Sequence, residues 1–341
     1  MLADLGGHLL TLYLILQWVF FSSSIILFNK YILSSLHFPY PATLVLIHML
    51  FASACMTAAK LAGWADIPAL EFRQWRAQIL PVGLCFAVSL ALGNAAYLYI
   101  TVAFVQMLKA STPVAVLLCS FAFGLEKPTL RLAGFILLIS AGIATSCANE
   151  VAISVPGIAI QMGAVGAEAL RLCLVNILLT SKGLKLSSLA TLYYVAPACA
   201  ACLLPAWLWL EGRPLLHHSF APLRHVGGGL LLLNASVVVL LNLSTMALIK
   251  HTSALTLNVS GFFKDVGLIA WSVLVSGAVV TPLQYVGYGI ALVGVIGYSE
   301  YKRRQAAATQ KTAPSARETA YEDAEEVELV TATSDPENAP A

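Results

Sequence analysis

The sequence predicts an all-α polytopic membrane protein with ten transmembrane helices in two inverted five-helix repeats. Of its 341 residues, 59% are hydrophobic and only 11% charged, where an ordinary soluble domain carries about 25% charged residues. Apolar runs of roughly 20 residues, enough to cross a bilayer, recur along most of the chain, and the mean hydropathy is +0.82. Two distant segments also share one pattern: LAGFILLISAGIATS from Leu132 and YVGYGIALVGVIGYS from Tyr285.

In order, spans are expected at 9–28, 41–62, 78–99, 101–122, 130–147, 154–178, 188–210, 228–249, 253–277 and 281–301. The third and fourth are hardest to separate, because YLYITVAF leaves almost no loop. Fused, they would need about 45 residues for one crossing, which is too long. The two matching segments each close a set of five helices, giving a transporter domain over 1–304 with repeats at 9–150 and 151–304. Five is odd, so the second set runs through the bilayer upside down. That arrangement is typical of secondary transporters, whose substrate sits near the midplane between the halves.

Ten spans put both termini on one side. If that side is cytoplasmic, it receives Lys60, Arg73, Arg76, Lys127, Arg131, Lys182, Lys185, Lys250, Lys302, Arg303 and Arg304. The opposite side receives Lys30, Arg213 and Arg224. This is the imbalance of the positive-inside rule. Asp4 and His8 stand where a secretory signal would carry Lys or Arg, so the first span is expected to be retained. Of the 17 acidic residues, eight lie from Glu318 onward, and the tail 305–341 reads as an acidic, disordered cytoplasmic segment.

Several function classes fall away. No basic stripe with interleaved aromatics supports nucleic-acid binding. The seven cysteines all lie in apolar runs, which argues against a disulfide framework. His217, His218 and His225 lack the carboxylate or thiolate company of a metal site, and no cofactor is expected. The sequons at Asn234, Asn242 and Asn258 lie inside predicted spans, out of reach of glycosylation. An intramembrane enzyme would need a nucleophile, an acid–base pair or a metal cluster at one depth, and none stands out.

The chemistry is concentrated in ionised groups inside the bilayer. A charged side chain at a helix centre costs about 2.5–3.5 kcal/mol unless it is paired or faces a cavity. Lys109 lies in the fourth span, Glu168 and Arg171 in the sixth, Lys264 and Asp265 in the ninth. Glu168 and Arg171, three residues apart, share a face and can neutralise each other. Lys264 and Asp265 are about 100° apart around a helix and are expected to diverge, Asp265 toward Asn258. Pro113, just after Lys109, removes a backbone donor, a recurrent device near transporter sites. The expectation is a wet chamber where Lys109 and Lys264 hold an anion, with Arg171 assisting. Asn94, Tyr97 and Tyr194 are candidates for the rest of the substrate. His48, alone in the second span, reads as a hydrogen-bonded buried imidazole.

Three cations and two anions leave a net charge of +1 in the empty site, and closing gates around uncompensated charge is costly. A carrier that reorients only with a bound anion is an exchanger rather than a uniporter. The expected partners are a small phosphorylated anion, the bilayer and a second copy of the chain as a homodimer. An exporter of another small organic solute is the alternative, although two midplane lysines would repel a cation.

The segments FNKYIL, FPYPATLVLIHM, AAYLYITVAFVQMLKASTPVAVLL, GAEALRL, LLTSKGLKLSSLATLYYVAP and KHTSALTLNVSGFFKD resemble the triose-phosphate translocator and nucleotide-sugar transporter family of the drug/metabolite transporter superfamily. The resemblance extends to the plant-type probable sugar phosphate/phosphate translocators and covers about 10–304. It implies the drug/metabolite transporter fold and antiport of a sugar phosphate or nucleotide sugar against phosphate or a nucleotide monophosphate. In plastid members a fourth-span lysine and a ninth-span Lys-Arg pair grip the phosphate, which carries over to Lys109, Lys264 and Asp265. Asp265 replaces an arginine, and Leu241 stands where those relatives have an eighth-span tyrosine. Both departures favour a larger cargo than a triose phosphate. The FYN-type motif of GDP-sugar carriers is missing. Without an Arg- and Ser-rich leader, the Golgi or another endomembrane is the expected location.

Overall fold

The computed structural model describes residues 2–148, 154–180, 186–251 and 254–312. Lys182, Lys185 and the acidic tail from residue 313 lie outside the described residues, as do the side chains of Lys250 and Asn258. The described residues are helical, with short connections and no strand.

Eight helices are long and apolar enough to cross a bilayer: α1 (Leu9–Ser35), α2 (Pro41–Leu61), α3 (Phe72–Ala96), α4 (Val102–Ala122), α5 (Leu130–Ala148), α6 (Val155–Ile177), α7 (Leu189–His217) and α8 (Gly228–Leu248). The ninth and tenth expected spans coincide with α9 (Ala254–Leu274) and α10 (Pro282–Thr312). Among the described residues these two do not pass the same length and hydropathy test. Tyr and Gly dilute the apolar run of α10. Phe20, Leu137, Phe263 and Leu274 project outward, as side chains do against lipid tails, and the protein is an integral membrane protein.

Local chemistry explains the helix starts. Thr101 opens α4 by accepting from the Phe104 amide (3.2 Å), Ser154 opens α6 by accepting from Gly157 (3.2 Å), and Ser187 opens α7 by accepting from Ala190 (3.2 Å). Each hydroxyl satisfies an amide that the first helical turn leaves without a partner. The start of α2 is capped from a distance. Glu211, buried at the end of α7, accepts from the amides of Ala42 (2.9 Å) and Thr43 (2.6 Å) and from the Thr43 hydroxyl (2.7 Å). Trp207 Nε1 donates to the same hydroxyl at 2.8 Å.

The fourth span is interrupted. Its halves, Val102–Lys109 and Thr112–Ala122, meet at Ala110 and Ser111. Pro113 has no N–H to offer the Lys109 carbonyl, which accepts instead from the Thr112 hydroxyl at 2.7 Å.

Among the described residues, contacts between the first five and the last five helices come in matched pairs. The contact of α3 with α6 is matched by α8 with α1, α3 with α7 by α8 with α2, and α4 with α6 by α9 with α1. The pairs α2 with α7, α4 with α9 and α5 with α10 map onto themselves. The two segments with a shared pattern therefore pack on each other. A Cβ on Gly142 would stand 2.5 Å from the Ala291 amide nitrogen and 2.6 Å from the Gly287 carbonyl oxygen, so the backbones touch as small-residue helix pairs do in membranes.

Helix α10 runs on to Thr312, past the expected domain end at residue 304. The stretch Gln305–Thr312 is rich in Ala, Gln and Lys, good helix formers. Glu300 accepts from Arg303 (2.7 and 2.6 Å) and Arg304 (2.8 Å), and Lys302 pairs with Glu126 beyond α4.

Candidate functional site

A cavity of about 530 Å³ opens between α1, α2, α3, α4, α6, α7 and α8. Its polar lining comes from Asn29, His48, Ser89, Asn94, Tyr97, Lys109, Thr112, Gln161, Glu168 and Asn242. A second cavity, of about 430 Å³, lies on the other side of the broken fourth span and is lined by Gln106, Asp265 and Tyr288 among others. Lys109 and Thr112 line both.

The break in α4 positions Lys109. It is the last residue of the first half-helix, where the exposed carbonyl ends favour a cation. Among the described residues no carboxylate lies within ion-pair distance of its ammonium, although Asp265 and Glu168 are near enough to act on it electrostatically.

The other charges pair among themselves. Arg171 clasps Glu168 through two bonds, Nε to Oε2 at 2.8 Å and a terminal nitrogen to Oε1 at 2.5 Å. Ser89 also donates to Glu168 at 3.3 Å, and the guanidinium lies 5.0 Å from the centre of the Phe86 ring. Glu168 borders the larger cavity, but Arg171 borders neither.

The expected divergence of Lys264 and Asp265 is corrected by the structure. The Lys264 ammonium lies 3.1 Å from Asp265 Oδ1 and 5.8 Å from the centre of the Trp18 ring. The contact lacks hydrogen-bond geometry, so Oδ1 remains buried without a formal donor. The long lysine stem bends across the 100° between neighbouring residues, a reach that Cα directions alone do not convey. Lys264 borders neither cavity and Asp265 borders the smaller, so the two lysines do not share one chamber.

Asn94 and Tyr97 both line the larger cavity. Tyr97 lies within electrostatic reach of Lys264 and Asp265 and faces Gln106, yet neither polar atom of the buried Gln106 amide forms a well-oriented bond. Tyr194 lies elsewhere: its hydroxyl donates to the Pro68 carbonyl at 2.7 Å and accepts from the Leu70 amide at 3.2 Å, holding a connecting loop. Leu241 lines the larger cavity.

Reasoning from charged residues missed a relay of neutral groups. His48 Nε2 meets Asn234 Oδ1 in a short contact. Asn234 Nδ2 donates to Asn29 Oδ1 at 3.0 Å, Asn29 Nδ2 to Asn94 Oδ1 at 2.8 Å, and Asn94 Nδ2 to the Leu90 carbonyl at 2.9 Å. The relay ties α8, α2, α1 and α3 together, with Asn234 wholly buried (0% exposed). Asparagines inside apolar runs were the available signal, since a buried amide without partners costs roughly 1–3 kcal/mol.

Among the described residues, the site offers one ammonium without an ion pair, Lys109, in a cavity whose other charged liner, Glu168, is held by Arg171 and whose remaining polar liners are neutral, a suitable setting for an anion that also carries hydroxyls. Among the described residues, no group of three or more metal-ligating side chains forms.

Residues 9–299 match the profile of the Triose-phosphate Transporter family. The chain is 38% identical over 298 residues to a probable sugar phosphate/phosphate translocator of Arabidopsis thaliana, covering 86% of this chain and 87% of that one. A second Arabidopsis thaliana protein of the same description is 37% identical over 311 residues, covering 90% and 82%. A crystal structure of a protein 15% identical in sequence superimposes with a TM-score of 0.50 over 88% of this chain and 97% of that chain, a likeness of fold.

Proposed function

The chain belongs to the Triose-phosphate Transporter family, and from that premise we propose that it is an antiporter. It exchanges a sugar phosphate or nucleotide sugar for inorganic phosphate or a nucleotide monophosphate. The coarser statement, a membrane transporter of phosphate-linked solutes, follows from the family and from relatives described as sugar phosphate/phosphate translocators.

One observation carries the reading. Glu168 neutralises Arg171, Asp265 neutralises Lys264, and Lys109 is left as a net positive charge on the wall of a 530 Å³ cavity. A phosphate dianion placed there compensates a charge that an occluded, empty carrier would have to bury alone. Reorientation is then coupled to anion binding, and transport becomes exchange. Lys109 grips the phosphate in this scheme, with Asn94 and Tyr97 beside it. Lys264, Asp265 and Arg171 set the local field rather than touch the cargo.

The matched helix contacts support two inverted five-helix repeats, with α9 and α10 completing ten spans. The excess of Lys and Arg on one set of loops supports cytoplasmic termini. The Golgi or another endomembrane is the proposed location, read out by the position of a fluorescently tagged chain.

The test is uptake of radiolabelled phosphate by proteoliposomes preloaded with sugar phosphates, nucleotide monophosphates or nothing. Uptake should require an anion inside, and Lys109→Ala should reduce it by at least about a hundredfold, the effect of roughly 2.7 kcal/mol. Equal uptake by empty vesicles would refute antiport.

A further inference from the structure

The relay through Asn234, Asn29 and Asn94 fixes more than helix positions. Its last acceptor is the Leu90 carbonyl, which cannot donate, so Asn94 must present Nδ2 to it and Oδ1 to Asn29. The same logic turns Asn29 and then Asn234, whose Oδ1 is left facing His48. Nε2 of His48 therefore carries the hydrogen, and Nδ1 of the neutral ring is the lone-pair nitrogen. Among the described residues His48 hydrogen-bonds through Nε2 alone, and it lines the same cavity as Lys109 while only 4% exposed. Gln161, 1% exposed on that wall, likewise has Oε1 without a donor.

We propose that His48 is a specificity residue, its Nδ1 accepting a hydrogen bond from a cargo hydroxyl while Lys109 holds the phosphate. This rests on the phosphate reading of Lys109. The cavity is thus suited to a phosphate ester bearing free hydroxyls, as in a sugar phosphate, over inorganic phosphate, which fills little of its volume. Asn234, Asn29 and Asn94 are positioning residues that set the imidazole tautomer.

The substitution His48→Gln separates the ring's two roles, since the glutamine amide can still donate to Asn234 but nothing remains at Nδ1. In proteoliposomes, with glucose 6-phosphate and inorganic phosphate as probes, it should raise the KM ratio of the ester to the ion about tenfold, the effect of one hydrogen bond. His48→Asn does the reverse, keeping an amide oxygen near Nδ1 while withdrawing the donor. It should lower thermal stability in detergent and leave the ratio within about threefold of wild type. Equal changes for both probes in His48→Gln, or an equally raised ratio in His48→Asn, would overturn the proposal. So would a wild-type protein that exchanges inorganic phosphate but not glucose 6-phosphate. A wild-type protein that exchanges no phosphate at all overturns the reading of Lys109 beneath it.

Discussion

Lys264 and Asp265, consecutive along α9, close on each other with ammonium and carboxylate 3.1 Å apart. Each is the other's main counter-charge, so removing one leaves the other poorly compensated beside the cavity wall. Lys264→Ala alone should depress phosphate exchange more than the double substitution Lys264→Ala with Asp265→Ala, with a coupling of about 2 kcal/mol. Initial exchange rates of the three variants measure it. A double variant as weak as Lys264→Ala would mean that Lys264 acts on the cargo directly.

Arg171 joins a forked bond to Glu168 with a stack on Phe86. Lysine keeps the charge but neither the fork nor the plane. Arg171→Lys should lower stability by about 1–2 kcal/mol with little effect on KM for phosphate, read by thermal unfolding in detergent alongside transport.

The carboxylate of Glu211 receives three hydrogen bonds at the start of α2. In Glu211→Gln one oxygen becomes an NH₂ group facing donors, so amides in the first turn of α2 lose their acceptor. A loss of about 3 kcal/mol is expected, visible as a lower melting temperature in detergent.

At Gly142 any side chain must enter the backbone of α10, with the added Cβ 2.9 Å from the Ala291 Cα. Gly142→Val should abolish most of the folded yield, because overpacking against backbone costs about 3 kcal/mol or more. Gly134 lies on the same helix with nothing within 4 Å of an added Cβ. Gly134→Ala should change stability by no more than about 0.5–1 kcal/mol, and in the stabilising direction. Size-exclusion profiles of the two variants make the comparison.

Much of this architecture was legible because the bilayer imposes simple rules. Apolar runs located all eight helices that pass the spanning test, and the shared pattern at 132–146 and 285–299 marked two corresponding helices, whose direct contact only the fold reveals. Pro113 located the break that sets Lys109 at a helix end. Side-chain reach was not legible: Lys264 bends to its neighbour, and the Tyr194 hydroxyl serves the Pro68 loop rather than the cavity. The relay through Asn29 and Asn234 was hidden because its members are uncharged and lie about 200 residues apart, a separation only the fold can close.

The bare contact between α5 and α10 constrains how the protein can move. Main chains this close have no cushion of side chains to shear, so sliding one helix along the other forces atoms into collision, whereas tilting about the crossing point does not. Any shift of one helix against the other is then confined to tilting about the place where Gly142 meets Gly287 and Ala291.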